Sequence, residues 1–153
     1  MSAVPLSVLA PVAGKTVDIS GVDDPVFAAG LVGPGLAILP DAELGRQVVA
    51  PVSGTIVKLH PHAFVVKVPD GRAILVHLGI NTVQLDGAGF TLHVAQGDAV
   101  TQGDVLITWD PTEIERGGRS SVCPVVALGA TPDVITAVDS ADVTASQELF
   151  TWS

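Results

Sequence analysis

Short apolar runs bounded by turn residues dominate this chain. Gly54-Thr-Ile-Val-Lys-Leu59, Phe64-Val-Val-Lys-Val68, Ala73-Ile-Leu-Val-His77 and Val105-Leu-Ile-Thr-Trp109 are rich in β-branched residues, and Gly, Pro and Asp punctuate them. Runs of that length and composition predict strands of an antiparallel sandwich or barrel, so the expected fold class is all-β. Helical periodicity is weak. Asp110-Pro111 opens one or two turns over Pro111–Arg116, and Thr131 caps a second helical segment before Pro132, over Thr131–Val138. No shift in composition marks a linker, so residues 1–153 are expected to form a single domain.

Internal repetition organises these runs. Leu9-Ala-Pro-Val-Ala-Gly-Lys-Thr-Val17 recurs 40 residues later as Val49-Ala-Pro-Val-Ser-Gly-Thr-Ile-Val57. Val100-Thr-Gln-Gly-Asp-Val-Leu-Ile-Thr-Trp109 recurs 43 residues later as Val143-Thr-Ala-Ser-Gln-Glu-Leu-Phe-Thr-Trp152, with five of ten positions identical. Two related halves that pack their apolar faces together are expected from this duplication.

Hydrophobic residues at 48% of 153 supply ample core material, which excludes general disorder. Seven Lys and Arg against 16 Asp and Glu give a net charge of −9, with no basic cluster. That argues against a phosphate-tracking nucleic-acid surface, makes an anionic membrane repel the chain and suits basic protein partners; with no apolar span, no direct membrane insertion is expected. One cysteine, Cys123, builds no internal disulfide and sits in an apolar run, where it is expected to pack in the core. The opening residues lack a basic n-region and no run reaches membrane-spanning length, so a cytoplasmic location is expected.

The chemistry concentrates on histidines. Asp70-Gly71 between two apolar runs predicts a two-residue type I′ turn. Pairing Pro69 with Arg72 then sets Val66 opposite Leu75 and Phe64 opposite His77. His62 becomes a diagonal neighbour of His77 on a face that also carries Phe64, Val66 and Leu75. Paired imidazoles serve metal ligation, acid–base catalysis or nucleophilic phosphoryl carriage. His60-Pro-His62 has the alternation to add a third imidazole, yet no Asp, Glu or Cys joins at a recognisable ligand spacing. The residues alone leave metal binding, phosphoryl carriage and a structural role open.

A series of motifs in order narrows the choice: Leu9-Ala-Pro-Val-Ala-Gly14, Asp24-Pro-Val-Phe27, Val32-Gly-Pro-Gly-Leu-Ala-Ile38, Val49-Ala-Pro-Val-Ser-Gly54, His62-Ala-Phe64, Val76-His-Leu-Gly-Ile-Asn-Thr-Val83 and Cys123-Pro-Val-Val126. The chain thereby resembles enzyme IIA of the glucose class in the bacterial phosphoenolpyruvate:sugar phosphotransferase system, from about Val8 to its end. The resemblance implies a β-sandwich of two similar motifs, the duplicated hybrid motif. It implies a phosphoryl carrier, charged by the histidine-phosphocarrier protein and discharged to a cysteine of enzyme IIB, which works with a IIC permease for glucose or N-acetylglucosamine. His77 matches the residue that carries the phosphoryl group and His62 the one that supports it. Val26 and Phe27 match an apolar rim that contacts both partners, and Asp24 an acidic position that meets the carrier's arginine. Leu75 is an apolar neighbour that excludes water.

Two positions depart from the family pattern. Asn81 stands where an aspartate is usual, which weakens one anionic contact for the carrier, although its amide oxygen still accepts a hydrogen bond. His60 replaces a hydroxyl residue two before the supporting histidine. No cofactor is implied, and no metal is required; incidental zinc at His62 and His77 is compatible with the pair. The alternative is a zinc-dependent hydrolase of related β-architecture, for which His60-Pro-His62 and His77-x-x-x-Asn81 are a superficial match in reversed order and without the carboxylate. A biotinyl- or lipoyl-like carrier shares the turn pattern at Gly97–Val100 but needs a hairpin lysine that is not evident.

Overall fold

The structure, a computed structural model, describes residues 5–22, 24–28, 32–137 and 141–153; for Val26 and Ala28 it describes the backbone only. The described residues include fourteen strands, numbered along the chain, and every pairing between them is antiparallel. The largest sheet has eight strands in the order β13 (Asp142–Val143), β2 (Gly14–Asp18), β3 (Gly35–Pro40), β11 (Cys123–Ala127), β7 (Ala73–His77), β6 (Ala63–Lys67), β5 (Gly54–His60) and β9 (Ala99–Val100). Two three-stranded sheets complete the fold. One runs β1 (Leu6–Leu9), β14 (Glu148–Trp152), β12 (Ile135–Ala137), the other β4 (Gln47–Val49), β10 (Val105–Trp109), β8 (Phe90–Leu92). The expected all-β antiparallel class and its internal duplication hold, with helix confined to α1 (Pro25–Ala28), α2 (Pro111–Arg116) and isolated 3-10 turns.

The sequence repeats become a two-fold relation in space. The repeated Ala-Pro loops exchange backbone bonds reciprocally: Leu9 N–H donates to the Pro51 carbonyl (3.0 Å) and Val49 N–H to that of Pro11 (2.8 Å). Each loop then takes the same partners from the second repeat. Ala10 N–H donates to Gln147 O and Ala50 N–H to Asp104 O, while Ser146 and Gly103 donate back to Ala10 and Ala50. In the large sheet, Val76 and Val125 face each other where β7 meets β11, and strands recur in mirrored order on either side. Satisfying buried backbone groups twice by one pattern is what the duplication accomplishes.

The inner face of the large sheet packs against both small sheets in one cluster that includes Ile38, Ile56, Phe64, Ile74, Val76, Cys123, Leu106, Phe150 and Trp109. Trp109 and Trp152, equivalent in the repeats, are both buried there. The outer face differs between halves. Over β2, β3 and β11 a second cluster of Val22, Phe27, Ala37, Ile80, Val122 and Val126 covers the sheet, with Leu75 packed at its border. Over β5, β6 and β7 lies an open apolar groove of about 200 Å³ lined by Lys58, His60, Ala63, Phe64, Val65 and Leu75.

Two local expectations are corrected. The hairpin register is displaced by one residue: Phe64 pairs with Val76, Val65 with Leu75 and Ala63 with His77. The connection is a three-residue loop. Val68 N–H donates to Arg72 O, Gly71 N–H donates to Val68 O, and Gly71 sits at φ +99°. Pro69 fits the first inner position of an ordinary turn, and Gly71 supplies the left-handed residue after it, so the two-residue turn is displaced. A one-residue slip exchanges faces. Phe64 and Val66 therefore enter the core, and Val65 shares the outer face with Leu75 and His77. The second correction concerns Thr131–Val138. Only Pro132–Val134 winds, as a 3-10 turn, and β-branched Ile135-Thr136 goes on to pair with β14; Val138 lies outside the described residues.

Gly14 and Gly54 occupy equivalent strand starts, and a Cβ there would lie 2.1 Å from the Leu39 carbonyl oxygen and 2.2 Å from that of Lys67. Gly14→Ala and Gly54→Ala are each expected to cost about 2–4 kcal/mol, because backbone rather than a mobile side chain must yield. Urea unfolding checks this, and losses under about 0.5 kcal/mol would show that the strands part freely.

Candidate functional site: a row of aromatic rings on the outer face

The last residue of β7, His77, points to the outer face, and the chain then makes a tight, fully anchored bend. Leu78 N–H donates to the His62 carbonyl (2.7 Å), Ile80 N–H to the Ser120 carbonyl (2.9 Å), and the buried Thr82 hydroxyl to the Leu78 carbonyl (2.7 Å). Gly79 takes φ +78° and Asn81 φ +62°. A side chain at Gly79 would lie 2.7 Å from Thr82 Cγ2 and 2.8 Å from Ser120 O, so glycine is required by space as well as by φ. Asparagine tolerates the left-handed region better than most residues, which suits Asn81.

The bend returns the Gly79 carbonyl oxygen to within 2.5 Å of His77 Nδ1. A carbonyl only accepts, so Nδ1 carries the proton and the lone pair of the neutral ring resides on Nε2. His62 sits in the two-residue turn Pro61-His62 that joins β5 to β6, where His60 pairs with Ala63. Four rings follow one another. Phe27 meets His77 edge-on with centroids 5.4 Å apart, His77 meets His62 edge-on at 5.2 Å, and His62 stacks on His60 at 5.6 Å.

Burial sets the electrostatics. It pushes the His77 pKa below the usual imidazole value, with the Gly79 hydrogen bond and the Asp24 carboxylate opposing the shift. Burial, then the like charges that His77 and His60 would carry, bring His62 down to about 4. Both rings are therefore neutral at pH 7. Behind the bend, Cys123 is wholly buried and its thiol is pushed up to about 12, the behaviour of a packing residue.

The structure thus brings His62 and His77 together as expected, although a turn rather than strand alternation places His62. Phe27 is buried against His77, Leu75 is half-buried beside the groove, and Asp24 precedes α1 close enough to act on His77. Asn81 is exposed at the bend. The side chain of Val26 lies outside the described residues. Three contributors escaped the sequence reading: Gly79, which fixes the tautomer; Thr82, which braces the bend; and His60 as a stacking partner. Glycine and asparagine two apart directly after His77 were the readable sign of that bend. Among the described residues no three His, Cys, Asp or Glu side chains are placed to hold a metal ion. A larger hollow of about 510 Å³ at the β13 edge, near Lys15, Leu39, Leu44 and Asp142, shares no residue with the histidine row.

Residues 6–131 match the family described as phosphoenolpyruvate-dependent sugar phosphotransferase system, EIIA 1, and the chain belongs to that family. It is 44% identical over 121 residues to the glucose-specific EIIA component of Halalkalibacterium halodurans, covering 78% of this chain and 68% of that protein. It is 42% identical over 127 residues to the mannose-specific EIIBCA component of Corynebacterium glutamicum, covering 82% of this chain but only 18% of that longer protein. The fold matches glucose permease IIA from Mycoplasma capricolum at TM-score 0.89 and 32% identity, over 97% of this chain and 96% of the other. The glucose-class IIA membership and the duplicated all-β fold therefore stand. No helix among the described residues is long and apolar enough to cross a membrane.

The depressed His62 pKa has a consequence for stability. The native state disfavours protonated His62, so the unfolded chain takes up a proton first as pH falls below 6.5. Its contribution is complete above pH 6.5 and declines as pH falls toward 4. NMR titration is expected to give His62 a midpoint near 4, with unfolding free energy decreasing across that window and a flatter slope in His62→Gln. A midpoint near 6.5 would mean that the ring is solvated.

Proposed function

We propose that the protein is a cytoplasmic phosphoryl carrier of a sugar phosphotransferase system, formed as one domain over residues 1–153. In this reading His77 accepts the phosphoryl group on Nε2 from the histidine-phosphocarrier protein and passes it to a cysteine of enzyme IIB. The observation that carries the reading is the Gly79 carbonyl on Nδ1, which leaves a neutral ring with its nucleophilic lone pair on Nε2. Family membership and relatives in which the domain belongs to EIIBCA or EIICBA proteins support a IIB and IIC partner. Those relatives are named for mannose and for glucosamine, so the sugar is chosen elsewhere than on this domain.

The Nε2 lone pair attacks phosphorus as the bond to the donor histidine breaks, and the leaving ring nitrogen keeps that electron pair. The proton on Nδ1 stays on its hydrogen bond to Gly79, so charging needs no general base. On discharge, the thiolate of enzyme IIB attacks phosphorus and Nε2 recovers its pair. His62 donates a hydrogen bond to a phosphoryl oxygen as charge spreads over the transferring group. Phe27 and Leu75 keep water from the N–P bond. Asp24, Val26, Phe27 and Leu75 form the docking rim with Asn81, and the groove beside His77 gives the partners an apolar landing surface. The zinc-hydrolase alternative lacks support: His60 and His62 lie face to face, and Asn81 supplies no carboxylate.

Incubation with phosphoenolpyruvate, enzyme I and the phosphocarrier is expected to add about 80 Da in an acid-labile linkage, unaffected by a chelator. His77→Ala is expected to stay folded and unlabelled. Normal labelling of that variant, or labelling that zinc alone restores after chelation, contradicts the mechanism.

His62→Gln separates the two transfer steps. Gln still donates a hydrogen bond but lacks the imidazole that adjusts its protonation to a departing anion. Charging by the carrier is expected to survive, whereas single-turnover donation to enzyme IIB slows by more than about tenfold, a loss of about 1.4 kcal/mol. Equal slowing of both steps would leave His62 without the supporting role.

A further inference from the structure

His62 needs to hold one orientation against His77, yet it lies in a two-residue turn, and no hydrogen bond to its ring is present among the described residues. Ring contacts orient it instead. His77 meets it edge-on with centroids 5.2 Å apart, and His60 stacks on it with centroids 5.6 Å apart and planes inclined by 24°. His60 is the final residue of β5 and pairs with Ala63 across the turn, so the sheet fixes its own backbone. It is exposed, with no contact to His77 among the ring pairs, and thus can act on the reaction through His62.

The geometry points to His60 as a positioning residue for phosphoryl transfer: its ring stacks on His62 and holds that imidazole in register with His77. The inference rests on the carrier reading given above and deepens it. Removing the stacked ring releases the His62 side chain to the rotamers a turn residue samples, and the hydrogen bond to the transferring group is then made from a smaller population. An offset aromatic pair is worth enough to change such a population by a few-fold to about tenfold. Stacking needs a flat ring and not an imidazole, and that separates this role from proton transfer or ligation.

The test compares His60→Ala and His60→Phe in the full chain, each also combined with His62→Gln, in single-turnover donation to enzyme IIB. At saturating enzyme IIB, His60→Ala is expected to slow the donation rate about five- to tenfold, and His60→Phe to stay within about twofold of the parent. In the His62→Gln background, His60→Ala is expected to have no further effect. NMR of the uncharged protein supplies an independent reading: the His62 ring-proton shifts move toward free-imidazole values in the Ala variant and remain displaced in the Phe variant. An unaffected Ala variant, failed rescue by Phe, or equal slowing in the His62→Gln background each overturns the assignment. If the parent protein itself accepts no phosphoryl group, the carrier reading fails. Normal charging of the parent beside an inert His60→Ala overturns the His60 role alone.

Discussion

The reciprocal pairing of the two Ala-Pro loops is the constraint from which the rest of the architecture follows. Each loop brings backbone N–H groups into a dry interior, where an unmade bond costs far more than a made one contributes. Leu9 and Val49 resolve this by donating to one another's loop, and the second repeat fills the remaining positions at Ala10 and Ala50 in the same way. Once that exchange is fixed, the mirrored strand order and the facing Val76 and Val125 leave little freedom in the large sheet. The sheet then provides two sites of equal backbone geometry. Leu78 N–H reaches the His62 carbonyl in one half, and Ala127 N–H reaches the Pro34 carbonyl in the other.

Symmetry of backbone did not bring symmetry of chemistry. Pro34 stands where His62 stands, and Val126 where His77 stands, so one half keeps an apolar pair and the other a pair of imidazoles. The segment that carries Ile19, Val22, Phe27 and Val32 covers the packing half. His77 lies at the border of that cover. Its ring meets buried Phe27 and also His62, whose stacking partner His60 lines the groove. Under the proposed carrier function, this border position resolves two opposed demands. Burial depresses imidazole basicity and excludes water, while phosphoryl exchange between proteins requires an approachable nitrogen. A ring in the middle of either half would satisfy one demand and fail the other.

Much of this was readable in the residues. Composition and run length indicated the strands; the repeats indicated the duplication; the Val76–Val83 segment and His62 pointed to the two histidines whose rings the structure brings together. The hairpin register was not readable because Pro69-Asp70-Gly71 serves two turn types, and a Gly71 at φ +99° is compatible with either until the flanking pairs are known. The choice mattered for Phe64 and Val66, which belong to the core, and not for His62, whose turn position frees it from strand alternation. The same freedom hid the stacking role of His60. Helix in Thr131–Val138 failed for a different reason: the Pro-containing turn winds, but Ile135 and Thr136 gain a strand partner in β14, and long-range pairing outweighs local preference.

Under the proposed carrier function, the electrostatic setting explains how such a site can give up what it takes. The charge that acts on His77 is that of Asp24, an anion, and the neighbouring imidazole, His62, is neutral. A clamp of Arg or Lys side chains would stabilise a bound phosphoryl dianion strongly in the resting state and thereby raise the barrier to its departure. Neutral donors of adjustable protonation behave otherwise. His62 is held far below its ordinary pKa in the uncharged protein, so it places no positive charge beside the His77 ring before the phosphoryl group arrives. A phosphoryl dianion placed beside it favours its protonated form, and that attraction disappears once the group has left. In the proposed carrier, the low basicity that burial imposes on His62 is therefore what makes its stabilisation of the phosphoryl group conditional, present during transfer and absent afterwards.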